Sequence, residues 1–189
     1  MLDKSRRREE LLDAAARAIR RLGATAKMDD LAAEAGITKP VLYTHFGDKA
    51  GLAAALAERS SADIRAGLLT ALTTPEDYRL MVRGCVDAFI GFVEREPEIY
   101  KFVLHGGLSS AAGVPQRRMF DELGVQIGAV IAMARRQAGV DTAPAEAWSF
   151  ALLGAVLSVA EWWTEHPSTP KGELVDHVTD LFWGGLQSR

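Results

Sequence analysis

Between one glycine or proline and the next, the apolar residues of this chain recur at intervals of three and four, and nowhere do they show strand-like alternation. That periodicity commits the chain to an all-α fold of about nine helices. The first is expected from Ser5 to Leu22, with Leu11, Ala15, Ala18 and Leu22 on one stripe and Leu12 and Ile19 beside it. Gly23 ends it. Two short helices follow, Met28 to Ala35 and Thr38 to Gly47. Thr38 serves as N-cap of the second, and Pro40 is tolerated because first-turn amides have no intrahelical acceptor. Asp48 caps a fourth helix reaching Leu72, a rod of about 35 Å. Thr74-Pro75-Glu76-Asp77 is read as the start of the fifth helix, with a buried stripe of Tyr78, Met81, Val82, Cys85, Phe89 and Phe92. Pro97 opens a sixth that ends at His105-Gly106-Gly107. Pro115 to Ala138 forms a seventh, Pro144 starts an eighth, and Thr169-Pro170 starts the last.

At 189 residues the chain makes one domain, or one compact unit with a small subdomain. A chain of this size buries about 70% of the surface its unfolded form exposes, so it needs no disulfide, and Cys85 is its only cysteine. With 48% hydrophobic and 25% charged residues it is neither disordered nor collagen-like. No apolar run follows the basic N-terminus, and the longest apolar stretch, Ala143 to Trp163, is broken by Glu146 and Glu161. A soluble, cytoplasmic protein without a membrane partner is expected. The net charge of −3 taken alone argues against nucleic acid as a partner, but it hides an asymmetry. Residues 1–50 carry ten Lys and Arg against eight Asp and Glu, and the rest carries twelve against seventeen.

Two short helices joined through Ala35-Gly36-Ile37 behind a longer one make a helix-turn-helix pattern. Leu31, Ala32, Ala35, Ile37, Leu42 and Phe46 can close a small core with Leu12, Ala15 and Ile19. Lys39, Pro40, Tyr43 and Thr44 then point away, and an apolar core explains none of them. A helix of this width fits the major groove, where its first residues reach base edges. Tyr43, His45 and Lys49 would sit at the groove wall as donors to phosphate.

The run AGITKPVLYTHFGDKAGLAAAL, Ala35 to Leu56, closely resembles the DNA-reading segment of the tetracycline-repressor (TetR) family, with Leu42, Tyr43, His45, Phe46, Lys49 and Leu52 at the pattern positions. The resemblance implies a homodimer with a DNA-binding domain, 1–50, and an effector-binding and dimerisation domain, 51–189. It places Lys39, Pro40, Val41 and Thr44 near bases, after Thr38, and Tyr43, His45 and Lys49 at phosphates. Lys27 stands where a Ser or Thr often caps the second helix. It suits a phosphate but cannot act as an acceptor, so Thr25 is the second choice as cap, and Asp29 is expected to stabilise the helix start.

A member of that family also needs an effector cavity among the fourth to eighth helices. Met81, Phe89, Phe92, Phe102, His105, Met119, Phe120, Leu123, Trp148 and Leu152 are its candidate lining, although a helical core needs such residues in any case. A mainly apolar effector is implied. Gly84, Gly91, Gly124 and Gly128 leave room for backbones to approach or for a ligand. Ala147, Ala151, Gly154, Ser158 and Trp162 on the eighth helix, with Val175, Val178, Phe182 and Leu186 on the ninth, are the expected dimer face, intramolecular packing being the other reading.

The resulting expectation is a repressor that reads a palindromic operator and is released by its effector. Two other classes compete. An enzyme on a helical bundle lacks support: no histidine pair has metal-ligand spacing, no glycine loop cradles phosphate, and adjacent acids diverge on a helix. No cofactor and no metal are expected. A small-molecule carrier would share the apolar cavity but would not need the outward face of the third helix.

Overall fold

The computed structural model describes residues 2–72, 77–107, 114–166 and 168–186, with side chains placed at 5–62, 64, 77–104, 121–166 and 168–184. Among the described residues there are nine helices and no strand. They are α1 (Leu2–Leu22), α2 (Met28–Glu34), α3 (Lys39–Phe46), α4 (Lys49–Leu72), α5 (Tyr78–Arg95), α6 (Pro97–Gly107), α7 (Val114–Gln137), α8 (Ala145–Glu165) and α9 (Lys171–Leu186). Thr74, Pro75 and Glu76, and the side chains of His105, Met119, Phe120 and Leu186, lie outside the described residues. The chain forms two compact units, one of Met1–Ser61 with Glu96–Arg117 and one of Ala62–Arg95 with Arg118–Arg189. The first thus extends past residue 50 into α4 and takes in α6.

In the first unit, Leu11, Leu12, Ala15, Ala18 and Ile19 of α1, Leu31 of α2 and Leu42 of α3 are all essentially without solvent contact. Burying each of the larger side chains contributes about 1.5–3 kcal/mol. Gly36 sets the turn. At φ +64 it adopts the left-handed conformation, so its N–H reaches the Ala33 carbonyl (3.1 Å) while that of Ile37 reaches Ala32 (3.0 Å). This pair of bonds closes α2 and redirects the chain into α3. Asp48 caps α4 by accepting the Gly51 N–H at 2.7 Å. The side chain of α6 that lies deepest is Phe102, which is fully buried. Glu96 and Glu98 fasten this helix to the rest of the unit: Arg20 donates to both Glu96 oxygens (2.8 and 2.7 Å), and the Ala24 N–H donates to Glu98 (2.7 Å).

In the second unit α5 and α9 pack antiparallel, and their charges run in matching order. Arg79 pairs with Asp180, Arg83 with Asp176 (2.7 Å), and Lys171 with Asp87 (3.0 Å). Leu174, Val175 and Val178 of α9 are buried in this unit, whose α5 buries Val86, Ile90 and Val93. The arc buried by α5 therefore differs from the expected stripe: Met81 and Phe92 are buried, whereas Tyr78, Val82, Cys85 and Phe89 are half-buried. The cap of α5 also differs from the Thr74-Pro75 reading. The helix starts at Tyr78, and Asp77 accepts the N–H groups of Arg79 (2.8 Å) and Leu80 (3.2 Å). Between α7 and α8 two glycines set the spacing. A Cβ on Gly124 would lie 2.6 Å from the Phe150 ring, and one on Gly128 would lie 3.2 Å from Ser149 Oγ.

Candidate nucleic-acid interface

Leu42 is fully buried and Phe46 nearly so, which fixes the rotation of α3. On the opposite side Thr38, Lys39, Pro40, Val41, Tyr43 and Thr44 are exposed, and His45 is half-buried. Val41 and Tyr43 are about 40% accessible, a large apolar area for side chains of a helix in a folded core. This is the outward face expected from the sequence. Thr38 is the N-cap in extended conformation, but its side chain makes no capping bond, and Pro40 occupies the first turn. Thr44 donates its hydroxyl to the Pro40 carbonyl at 2.9 Å. Its donor is thereby used within the helix, leaving the methyl and the oxygen lone pairs for an external partner. Behind the face, the Arg8 guanidinium lies 5.2 Å from the centre of the Phe46 ring.

Lys27 is exposed at the N-cap of α2, in extended conformation and without a side-chain capping bond. Asp30 accepts the Lys27 backbone N–H at 2.9 Å, and Asp29 and Asp30 both lie in the first turn of α2, where a carboxylate favours the helix start as expected of Asp29. Asp29 has a different partner. Its carboxylate accepts from Lys39 Nζ at 2.9 Å, across the turn from α2 to α3. The hydrogen bond, and then the negative charge, raise the pKa of that ammonium above its ordinary value.

Lys49 also departs from expectation. Its ammonium donates to the Ala26 carbonyl at 3.0 Å and lies 4.7 Å from the centre of the Phe102 ring. It joins the loop before α2 to α6. Phe102, one of the candidate lining residues, is fully buried in the first unit beneath this ammonium. Of the other candidate lining residues, Met81, Phe92 and Leu152 are buried in the second unit, and Phe89, Leu123 and Trp148 are half-buried there. The Arg135 guanidinium covers the Trp148 ring at 4.4 Å. Burial without a nearby charge pushes the Cys85 thiol up to about 11.

The expected dimer face divides in two. Ala147, Ala151, Ser158 and Trp162 are exposed along one edge of α8, with Gly154 half-buried among them. Phe182 is half-buried, but Val175 and Val178 are inside the unit with α5 and are not available to a second copy. Among the described side chains of α9, the exposed apolar one is Leu181, at 72% accessibility. Among the described residues no cluster of His, Cys, Asp and Glu could hold a metal ion, and no helix is long and apolar enough to cross a membrane.

The family model for bacterial regulatory proteins of the tetR family matches residues 11–56, and that for the tetracyclin repressor-like C-terminal domain matches residues 67–189. The chain belongs to the TetR family. It is thus a transcriptional regulator with a helix-turn-helix DNA-binding domain and not an enzyme, in a family where ligand binding and dimerisation are typical. An uncharacterised helix-turn-helix transcriptional regulator of Mycobacterium tuberculosis is 32% identical over 97% of this chain and 78% of its own length. The helix-turn-helix transcriptional activator FasR of Mycolicibacterium smegmatis is 29% identical over 98% of this chain and 85% of its own. Among solved structures, AibR in complex with isovaleryl coenzyme A and operator DNA shares the fold, with a TM-score of 0.68, 20% identity, and coverage of 93% of this chain and 97% of that one.

Proposed function

We propose that this TetR-family protein is a dimeric repressor whose two α3 helices enter successive major grooves of a palindromic operator, about 34–36 Å apart. The observation that carries this reading is the rotation of α3: Leu42 and Phe46 lie inside, while Lys39, Pro40, Val41, Tyr43 and Thr44 stand outside together. In this reading Thr38, Lys39, Pro40, Val41 and Thr44 approach bases, and Tyr43, His45 and Lys27 meet phosphates. Residues 1–50 carry the reading surface, supported by α6 and the first turns of α4.

Residues 51–189 take the effector and the second copy. The half-buried Phe89, Leu123 and Trp148 and the buried Met81, Phe92 and Leu152, all in the second unit, suit a mainly apolar ligand. AibR is bound to isovaleryl coenzyme A, of which only the short branched acyl group has this apolar chemistry. The exposed small-residue edge of α8, flanked by Trp162, is the dimer face, with Leu181 in place of the buried valines. An effector that prefers one tilt of α4 shifts the population toward dimers whose α3 helices no longer match the grooves.

The test starts with selection of a duplex from a random pool by the wild-type protein. Gel shifts of that duplex follow, with Tyr43→Ala and with a panel of fatty acids and acyl-coenzyme A thioesters. Enrichment of a palindrome, uniform weakening by Tyr43→Ala and release by a panel member support the proposal. Failure to enrich any sequence refutes it. FasR is an activator, so a promoter fusion decides the sign of regulation: derepression on deleting the protein supports repression, and loss of expression refutes it.

A further inference from the structure

Most of the reading face is open, but its leading cation is already engaged. Lys39 is the first residue of α3, where an ammonium is disfavoured by the positive end of the helix dipole. Asp29, in the first turn of α2, offsets that charge through the 2.9 Å contact with Nζ. Both side chains remain open to water, with 45% and 65% of their surface accessible. An exposed ion pair in that setting biases Lys39 toward Asp29 without locking it there. It also sets a carboxylate on the surface that must approach a polyanion.

We propose that Asp29 is a specificity-determining residue that holds Lys39 away from phosphates and so penalises DNA lacking the base acceptor Lys39 is positioned to meet. On an arbitrary duplex Lys39 stays paired and Asp29 repels the backbone. On the operator, a guanine edge in the major groove takes Lys39 from Asp29, because O6 and N7 accept from lysine. The device lowers affinity for all DNA but lowers it least for the correct sequence, which is how a repulsive element creates discrimination. This inference rests on the DNA-reading function proposed above.

The experiment compares wild type, Asp29→Asn, Asp29→Glu, Lys39→Met and the double variant Asp29→Asn/Lys39→Met. Each binds two duplexes, the one selected by wild type and a scrambled one of equal length and composition, over a range of salt. Asp29→Asn is expected to bind the scrambled duplex about three- to tenfold tighter, with a salt slope steeper by about one ion, since a freed lysine neutralises one more phosphate. Its gain on the selected duplex is smaller, so the ratio of the two affinities falls. Asp29→Glu restores the wild-type ratio, and in the Lys39→Met background Asp29→Asn tightens both duplexes equally, so the ratio no longer changes. Equal affinities and slopes for wild type and Asp29→Asn overturn the proposal. So does an equal loss on both duplexes, which would make Asp29 a stabiliser of α2 only. If wild type itself binds neither duplex at low salt, the DNA-reading function has failed and this inference falls with it, a result distinct from both of the others.

Discussion

Replacing Lys49 with methionine keeps the apolar stem and removes only the ammonium, so it isolates what that charge does. The structure gives it two contacts, the Ala26 carbonyl at 3.0 Å and the Phe102 ring at 4.7 Å. Leaving a part-buried carbonyl without its charged donor costs about 1–3 kcal/mol, and water reaching this half-exposed site keeps the loss near the lower end. The lost cation–π contact adds about 0.5–1 kcal/mol. Together these give about 1.5–3 kcal/mol, a fall in melting temperature of about 4–10 °C for a chain of this size. Thermal unfolding followed by circular dichroism at fixed protein concentration measures it. The second measurement is the salt dependence of DNA binding. An ammonium committed to Ala26 and Phe102 leaves the slope unchanged, whereas loss of a phosphate contact flattens it by about 0.9. An unchanged melting temperature with a flattened slope would refute the structural role and restore Lys49 to the groove wall.

Gly124→Ala should lower stability by about 1 kcal/mol although alanine is the better helix former, because the new methyl overlaps the Phe150 ring and such overpacking costs about 1–3 kcal/mol. In a Phe150→Leu background the same change should become neutral or stabilising, as thermal melts of the four proteins will show. Ala151→Arg, on the exposed edge of α8, should give monomers in sedimentation velocity with little change in helix content. Val178→Ala, in the core with α5, should instead lower the melting temperature through a loss of about 1–3 kcal/mol and leave the dimer intact. With its thiol pushed up to about 11, Cys85 should be alkylated far more slowly in the native protein than in urea at pH 8. Its rate should rise about tenfold per pH unit until the pH nears that value, because the thiolate is the reacting form.

The helix-turn-helix was legible because its constraints are local. Gly36 and Gly47 both take the positive φ that a glycine permits, and Leu42 and Phe46 leave only one rotation for an eight-residue helix. α5 was not legible in the same way. Apolar residues occur on several of its sides, from Met81 and Val82 through Phe92 and Val93, so periodicity could not say which arc would be buried. A usable signal was nonetheless present. Arg79, Arg83 and Asp87, four apart, oppose Asp180, Asp176 and Lys171 in reverse order, which identifies α9 as the partner of α5 and puts Val175 and Val178 in the core. The engagements of Lys49 and Glu96 were beyond sequence reasoning. Their partners Phe102 and Arg20 lie 53 and 76 residues away, and no local pattern links them. The pairing of Asp29 with Lys39 was not legible for a smaller reason: two adjacent carboxylates begin α2, and only the structure shows that Asp30 takes the backbone bond and Asp29 the ammonium.

DNA reading by this protein requires the outward side of α3 to lie in the groove, and cross-linking from that side tests it most directly. A photoreactive group attached at Val41→Cys, in a Cys85→Ser background, should couple to bases of the selected duplex at two positions about one helical turn apart, related by the operator dyad. The same group at Leu181→Cys should give no coupling. Coupling from position 181 with none from position 41, while the duplex remains bound, would contradict the account.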